Sequence, residues 1–201
     1  MSKLLLAVVS FLVAAASQAT TVNFDEFTSP PVSCCFGNPT GGVPVVYPTV
    51  AITGGPSGAI MNGTGWDNQQ TSGDNLYGTL DGTITFNFNQ PTSNFSLDVI
   101  NGDFSESSFS FTVTEFDGIG NVIDSMTLLL GQFTTPAAVG HFALSGIGVF
   151  SATVVGNSDF AVDTISFDAS NQVPEPATLV LIAIGLLATG ARRRLLKVRA
   201  G

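Results

Sequence analysis

The chain has 201 residues, with 15 carboxylates against six lysines and arginines and a formal net charge of −9. Lys3 stands near the N-terminus, and Arg192, Arg193, Arg194, Lys197 and Arg199 close the C-terminus, so between them only His141 can carry a positive charge. That long middle stretch cannot neutralise phosphate, which excludes nucleic acid and anionic lipid surfaces as its partners, and ion pairs with Lys or Arg cannot hold its fold together.

The N-terminal end is cationic through Lys3, apolar from Leu4 to Ala16, and closes on Ser17-Gln18-Ala19, with small residues three and one positions before a cut. This order is that of a secretory signal peptide spanning residues 1–19, cleaved after Ala19. The apolar run of 13 residues is shorter than the roughly 20 needed to cross a bilayer core. The mature chain is expected to begin near Thr20.

Residues 20–172 form the expected ectodomain, one domain of ordinary size. It holds all the carboxylates except Glu175, which leaves 14 and a charge near −14. Its first part, Thr20 to Leu80, is rich in Gly and Pro; it predicts a strand over Thr21–Phe27, long loops, and two short strands near Val45–Ile52. The single Trp and both Tyr of the chain fall here, as Trp66, Tyr47 and Tyr77, and so do Cys34 and Cys35.

Beyond Leu80 the period is two. Ile84, Phe86 and Phe88 alternate with polar residues, as do Phe95, Leu97 and Val99, then Phe109, Phe111 and Val113, then Met126, Leu128 and Leu130, and last Ile165 and Phe167. Asn89-Gln90-Pro91 and Asp117-Gly118-Ile119-Gly120-Asn121 predict turns between them. No stretch of the ectodomain has an amphipathic helical period. Short strands with one buried face predict an all-β fold, an antiparallel two-sheet sandwich whose many Phe residues supply the core.

The C-terminal end reads Val173-Pro174-Glu175-Pro176, an uncharged stretch from Ala177 to Ala191, and Arg192-Arg193-Arg194 at the head of a basic tail over 192–201. The prolines stop a preceding strand. The apolar stretch predicts a single C-terminal transmembrane helix, about 22 Å long at about 1.5 Å per residue, with the arginines on the cytoplasmic side. Residues 173–201 resemble the PEP-CTERM sorting signal of Gram-negative bacteria, a segment also labelled an ice-binding protein C-terminal domain. The resemblance implies recognition of residues 173–176 by an exosortase in the inner membrane, cleavage there, and delivery to the cell surface or the biofilm matrix of an exopolysaccharide producer. A plain tail anchor that is never cut is the alternative.

Thr21-Val22-Asn23-Phe24-Asp25-Glu26-Phe27, Ile84 to Pro91, Phe116 to Val122 and Phe160 to Phe167 also resemble the lectin-like jelly rolls related to carbohydrate-binding modules. This resemblance implies eight strands in two sheets, with the first and last strands paired. It also implies a structural Ca²⁺ near that pairing, drawn from Asp25, Glu26, Asp163 and Asp168, since Ca²⁺ takes six to eight oxygens. No other cofactor is expected. A contiguous Ca²⁺ loop is absent from the sequence, and solvated carboxylates are the competing reading.

Tyr47, Trp66 and Tyr77 are the candidate sugar platform, with Asn62, Asp67, Asn68, Gln69 and Gln70 as hydroxyl partners; the competing reading places the rings in the core. Cys34 and Cys35 can close a strained vicinal disulfide, bridge to another molecule, or stay reduced. A zinc site would need two ligands beyond them, and His141 is the only imidazole. No nucleophile–base constellation is visible, and Asp25 and Glu26, adjacent on a strand, would point to opposite faces. The sequence thus reads as a non-enzymatic, exported protein with a structural or exopolysaccharide-binding role. A polysaccharide hydrolase with two folded-together carboxylates is the alternative from another class. Ice binding would need a flat Thr-rich face, of which Thr112 and Thr114 supply only two positions.

Overall fold

The computed structural model describes residues 18–28, 44–66, 69–105, 108–157 and 159–169. The described strands lie in one compact unit, Ser17–Ser170. They number eleven, where the jelly-roll resemblance implies eight: β1 (Gln18–Val22), β2 (Val45–Val46), β3 (Val50–Thr53), β4 (Ala59–Asn62), β5 (Asn75–Thr79), β6 (Thr83–Asn101), β7 (Ser108–Phe116), β8 (Val122–Gly131), β9 (Val139–Ala143), β10 (Ile147–Val155) and β11 (Phe160–Ala169). Three short 3₁₀ turns are the only helical elements among the described residues.

All pairings are antiparallel and join the strands into one continuous sheet that curls on itself. The long β6 makes this possible. Its first half, from Thr83 to Phe88, lies between β3 and β10, and β10 leads on through β7 to β8. Its second half, from Thr92 to Asn101, lies between β9 and β11. β11 is flanked on its other side by β5 and β1, so the first and last described strands do pair, Val22 opposite Ile165 and Ala19 opposite Asp168.

The expected turn at Asn89-Gln90-Pro91 is therefore absent, because β6 runs through it. Pro91 is tolerated where the ladder with β10 slips, between the Thr92–Val149 and Asn87–Ser151 pairs, and proline in a strand belongs at such an irregularity. Asn94 follows at φ +54, and the bend brings Phe86 and Phe88 of the first half onto Phe95 of the second, with centroids 5.2 and 5.6 Å apart. Across the core, Phe111 of β7 meets Phe160 of β11 at 5.5 Å, and Phe88 meets Phe167 at 5.0 Å. The two halves thus face each other as the layers of a sandwich. Phe86, Phe95, Phe111, Phe142, Phe160 and Phe167 are sealed from solvent, each contributing about 2–3 kcal/mol of transfer free energy.

The first expected strand is shifted. β1 ends at Val22 because Phe24 takes φ +63, and the Phe27 N–H closes a turn onto the Phe24 carbonyl at 3.2 Å. That backbone region is disfavoured for a bulky residue. The Phe24 ring fills the core instead, stacked on Tyr77 at 5.8 Å and 6.4 Å from Tyr47. Asp25 and Glu26 stand in this turn, and not on opposite faces of a strand. The Asp117–Asn121 turn forms as expected: the Asp117 carboxylate accepts from the Ile119 and Asn121 N–H groups at 2.9 and 2.8 Å, and those bonds hold its ionisation below the ordinary carboxylate range.

Candidate functional site

Four element ends meet at one pocket. Gly65 and Trp66 come from the 3₁₀ turn after β4, Gly102 and Phe104 from the end of β6, Phe133 from the segment after β8, and Asp159 from the residue before β11. Backbone bonds knit these loops together: Gly102 N–H donates to the Asp159 carbonyl at 2.9 Å, and Phe133 N–H to that of Asp103 at 3.0 Å. Asn101 braces them from below, its amide donating to the Gly131 carbonyl at 2.8 Å while its oxygen accepts from Asp103 N–H at 3.1 Å and from the Asn157 amide at 2.7 Å.

The walls are aromatic. Trp66 and Phe133 cross edge to face at 5.6 Å and 88°, and Phe104 and Phe133 at 4.6 Å and 73°. Trp66 and Phe133 are buried, whereas Phe104 is 61% exposed and forms the rim. A Cβ at Gly102 would stand 2.6 Å from Asp159 Oδ1 and 2.7 Å from Trp66 Cη2, so the floor requires glycine. The cavity holds ≈110 Å³.

Its single charged wall is Asp159. Burial, and then the neighbouring Asp103 carboxylate, push the Asp159 ionisation up to about 6. Asp159 Oδ1 is buried without a hydrogen-bond donor, and so is Oδ1 of Asn157 close by. Both atoms are acceptors, and the described residues include no Lys or Arg to meet them. The arrangement is thus an aromatic socket with one carboxylate, Asp159, in its wall.

The sequence-predicted platform of Tyr47, Trp66 and Tyr77 does not form. Tyr77 is fully buried in the main core, where its hydroxyl accepts the Gly54 N–H at 2.7 Å, and burial raises its ionisation above that of a free phenol. Tyr47 packs half-buried against Phe24, and Trp66 belongs to a separate cluster with Met61, Leu76, Ile100 and Phe133. Large rings gain more from burial than from display. Only Trp66 reaches a pocket.

The four carboxylates expected for Ca²⁺ do not converge. Asp25 and Asp163 do come to one loop, Thr71–Asn75, but as its clasps. Asp25 Oδ1 accepts the Asp74 and Asn75 N–H groups at 2.7 and 3.2 Å. Buried Asp163 accepts Thr71 and Ser72 N–H at 2.8 Å each, the Ser72 hydroxyl at 2.7 Å and Thr164 N–H at 2.7 Å. Asp168 accepts the Asn94 amide at 2.7 Å, and Glu26 is exposed. Asp25 Oδ1 and both oxygens of Asp163 are thus occupied by donors, where Ca²⁺ takes six to eight oxygens. Among the described residues there is no group of three or more His, Cys, Asp or Glu side chains placed to hold a metal. A broader polar basin of ≈490 Å³ lies beside Asp25, lined also by Phe27, Thr28, Asn62, Gly73, Asp74 and Asn75.

His141 stands on β9 with its Nδ1 2.7 Å from Asp98 Oδ1, on an exposed surface. Thr112 and Thr114 are bonded across to Thr127 and Ser125 of β8 at 2.8 and 3.1 Å, an ordinary outer strand face. Ala19, the expected last residue of the signal peptide, lies within β1. Cys34, Cys35, Asp67, Asn68, the sorting residues Val173 to Pro176, the stretch 177–191 expected to be a transmembrane helix and Arg192 to Arg194 lie outside the described residues. No described helix is long and apolar enough to cross a membrane.

Residues 172–194 match the PEP-CTERM protein-sorting motif, so the chain carries that signal. No curated protein sequence matches the chain. Among solved structures, a DUF4465 family protein from Bacteroides caccae is similar at a TM-score of 0.52 and 16% identity, covering 76% of this chain and 100% of that one. The CBM22-1 xylan-binding domain of Paenibacillus barcinonensis Xyn10C is similar at 0.39 and 12%, covering 78% and 97%. A family 6 carbohydrate-binding module is similar at 0.34 and 13%, covering 75% and 94%. The likeness to the Bacteroides protein is one of fold.

Proposed function

We propose that this is an exported protein, sorted by an exosortase to the cell surface or extracellular matrix, whose β-sandwich holds the polysaccharide of that matrix without chemically changing it. The sorting motif over residues 172–194 carries this reading. In the proposed sequence of events the signal peptide is removed after Ala19, the 177–191 helix holds the precursor in the inner membrane, and the exosortase cuts at Pro174-Glu175-Pro176. Removal after Ala19 would shorten β1 to Thr20–Val22, still paired with Phe167, Ser166 and Ile165.

Polysaccharide binding is supported by the aromatic socket and the carboxylate in its wall, since sugars offer apolar C–H faces and polar groups together. A non-catalytic role is supported by His141, which is engaged by Asp98 on an open strand surface and not in a pocket. The test is intact mass and fractionation of the native protein beside a variant carrying Pro174→Ala, Glu175→Ala and Pro176→Ala. The expected wild-type product begins near Thr20, lacks the tail and is found outside the cell, while the variant stays in the inner membrane. A full-length tail in the membrane for both proteins would establish an uncut anchored envelope protein instead.

A further inference from the structure

We propose that the pocket at the head of β11 receives a protonated primary amine of the matrix polysaccharide, that is, an amino sugar whose nitrogen is not acylated. This rests on the polysaccharide-binding reading and adds the chemistry of the recognised group.

Size is the first constraint. At ≈110 Å³ the cavity is well below the ~300 Å³ at which pockets begin to enclose a small molecule, so it admits a group projecting from a larger ligand. Charge is the second. Asp159 is a partly buried carboxylate beside a second carboxylate, Asp103, and every Lys and Arg of the chain lies before residue 4 or after residue 191. The described residues hold no Lys or Arg to answer it, so a cationic ligand relieves the repulsion. A hydroxyl would leave that repulsion in place, and a uronic acid would add to it. The rings are the third. Trp66, Phe104 and Phe133 surround the same space, and aromatic rings attract an ammonium by their quadrupole, worth about 0.5–2 kcal/mol. Phe104 at the rim also offers an exposed apolar surface for the pyranose that carries the amine. At long range, a domain of 14 carboxylates without Lys or Arg draws cationic chains and turns acidic ones away.

The test is calorimetric titration of the purified full-length protein at about physiological salt. The probes are a glucosamine tetramer, the N-acetylglucosamine tetramer, cellotetraose and tetralysine. We expect the glucosamine tetramer to bind at least about tenfold more tightly than the other two sugars, a difference of about 1.4 kcal/mol. Asp159→Asn should abolish that preference, and Phe104→Ala, a change at the exposed rim, should weaken binding about fivefold by loss of the ring contact while urea denaturation shows the fold retained. Glu26→Gln removes the same charge from an exposed turn away from the pocket and should change nothing. Equal loss in Asp159→Asn and Glu26→Gln would reduce the effect to general charge attraction and overturn the site. Tighter binding of the acetylated or neutral tetramer would overturn the amine and leave polysaccharide binding standing. Tetralysine binding as tightly as the amino sugar, with the same dependence on Asp159, would assign the pocket to a protein partner. No binding by any sugar would reject both readings.

Discussion

Glu115 projects from β7 into the core, fully buried, where its Oε2 accepts the Gly146 N–H at 3.1 Å and its Oε1 meets no donor. Burial raises its ionisation from 4.5 to about 7; the Gly146 bond lowers it and the Asp124 carboxylate adds to the rise. An acid whose ionisation is raised on folding binds more protons folded than unfolded, so the protein loses stability as pH climbs from 4.5 to about 7 and gains none of it back above. At about 1.4 kcal/mol per pH unit the span is worth roughly 3 kcal/mol in a dry site. Proteins screen even buried charges with an effective dielectric constant near 20, well above that of a dry site, which brings the figure to about 2 kcal/mol. Glu115→Gln keeps the acceptor for Gly146 and removes the charge. The variant should match wild type near pH 4 and exceed it by about 2 kcal/mol near pH 8, about 5 °C in Tm for a domain of this size. Urea denaturation at both pH values reads the difference. A difference that does not change with pH, or a variant less stable than wild type near pH 8, would refute the reasoning.

Two further substitutions test the framework of the fold away from the pocket. Tyr77→Phe deprives the buried Gly54 N–H of its acceptor and should cost about 1–3 kcal/mol in denaturant unfolding, with no change in ligand affinity. Asp163→Ala leaves the Thr71, Ser72 and Thr164 N–H groups without their acceptor and should cost about 3 kcal/mol or more; faster hydrogen exchange at Thr71 and Ser72 would locate the damage.

Both halves of β6, and β7, β8 and β11, could be read from the sequence because one face of each is buried, so the pleat writes itself as an alternation of Phe, Val, Leu or Ile with Thr, Ser and Asn. The first 80 residues were legible only in part: the two short strands near Val45–Ile52 form as β2 and β3, whereas β4 and β5, four and five residues long, are fixed by partners far along the chain, such as Tyr77 against Val162. Nor does the local pattern announce that a Phe at residue 24 turns the chain or that a strand passes through Pro91; both are settled by where the ring or ladder ends up in three dimensions. The sorting signal is legible because an enzyme reads it as a linear segment. The pocket is not. Of its lining, only Trp66 stood out, as the chain's one indole, whereas Phe104, Phe133 and Asp159 come from three separate loops with no common spacing. The nearest hint was the absence of any Lys or Arg, which leaves a buried carboxylate without an internal partner.

The strand β11 has the pocket residue Asp159 just before its first residue, and from its last, Ala169, the chain runs on in sequence toward the sorting signal. Its ten residues span about 33 Å. Wherever the protein is held by its C-terminal end and pulled by a polymer seated at Asp159, the tension runs along this strand. The hydrogen bonds that hold it stand across the direction of pull, to β6 on one side and to β5 and β1 on the other. They would have to shear together, where a terminal strand such as β8, bonded on one side, could be peeled away bond by bond. Under such a load, the force would pass through a strand bonded on both of its edges.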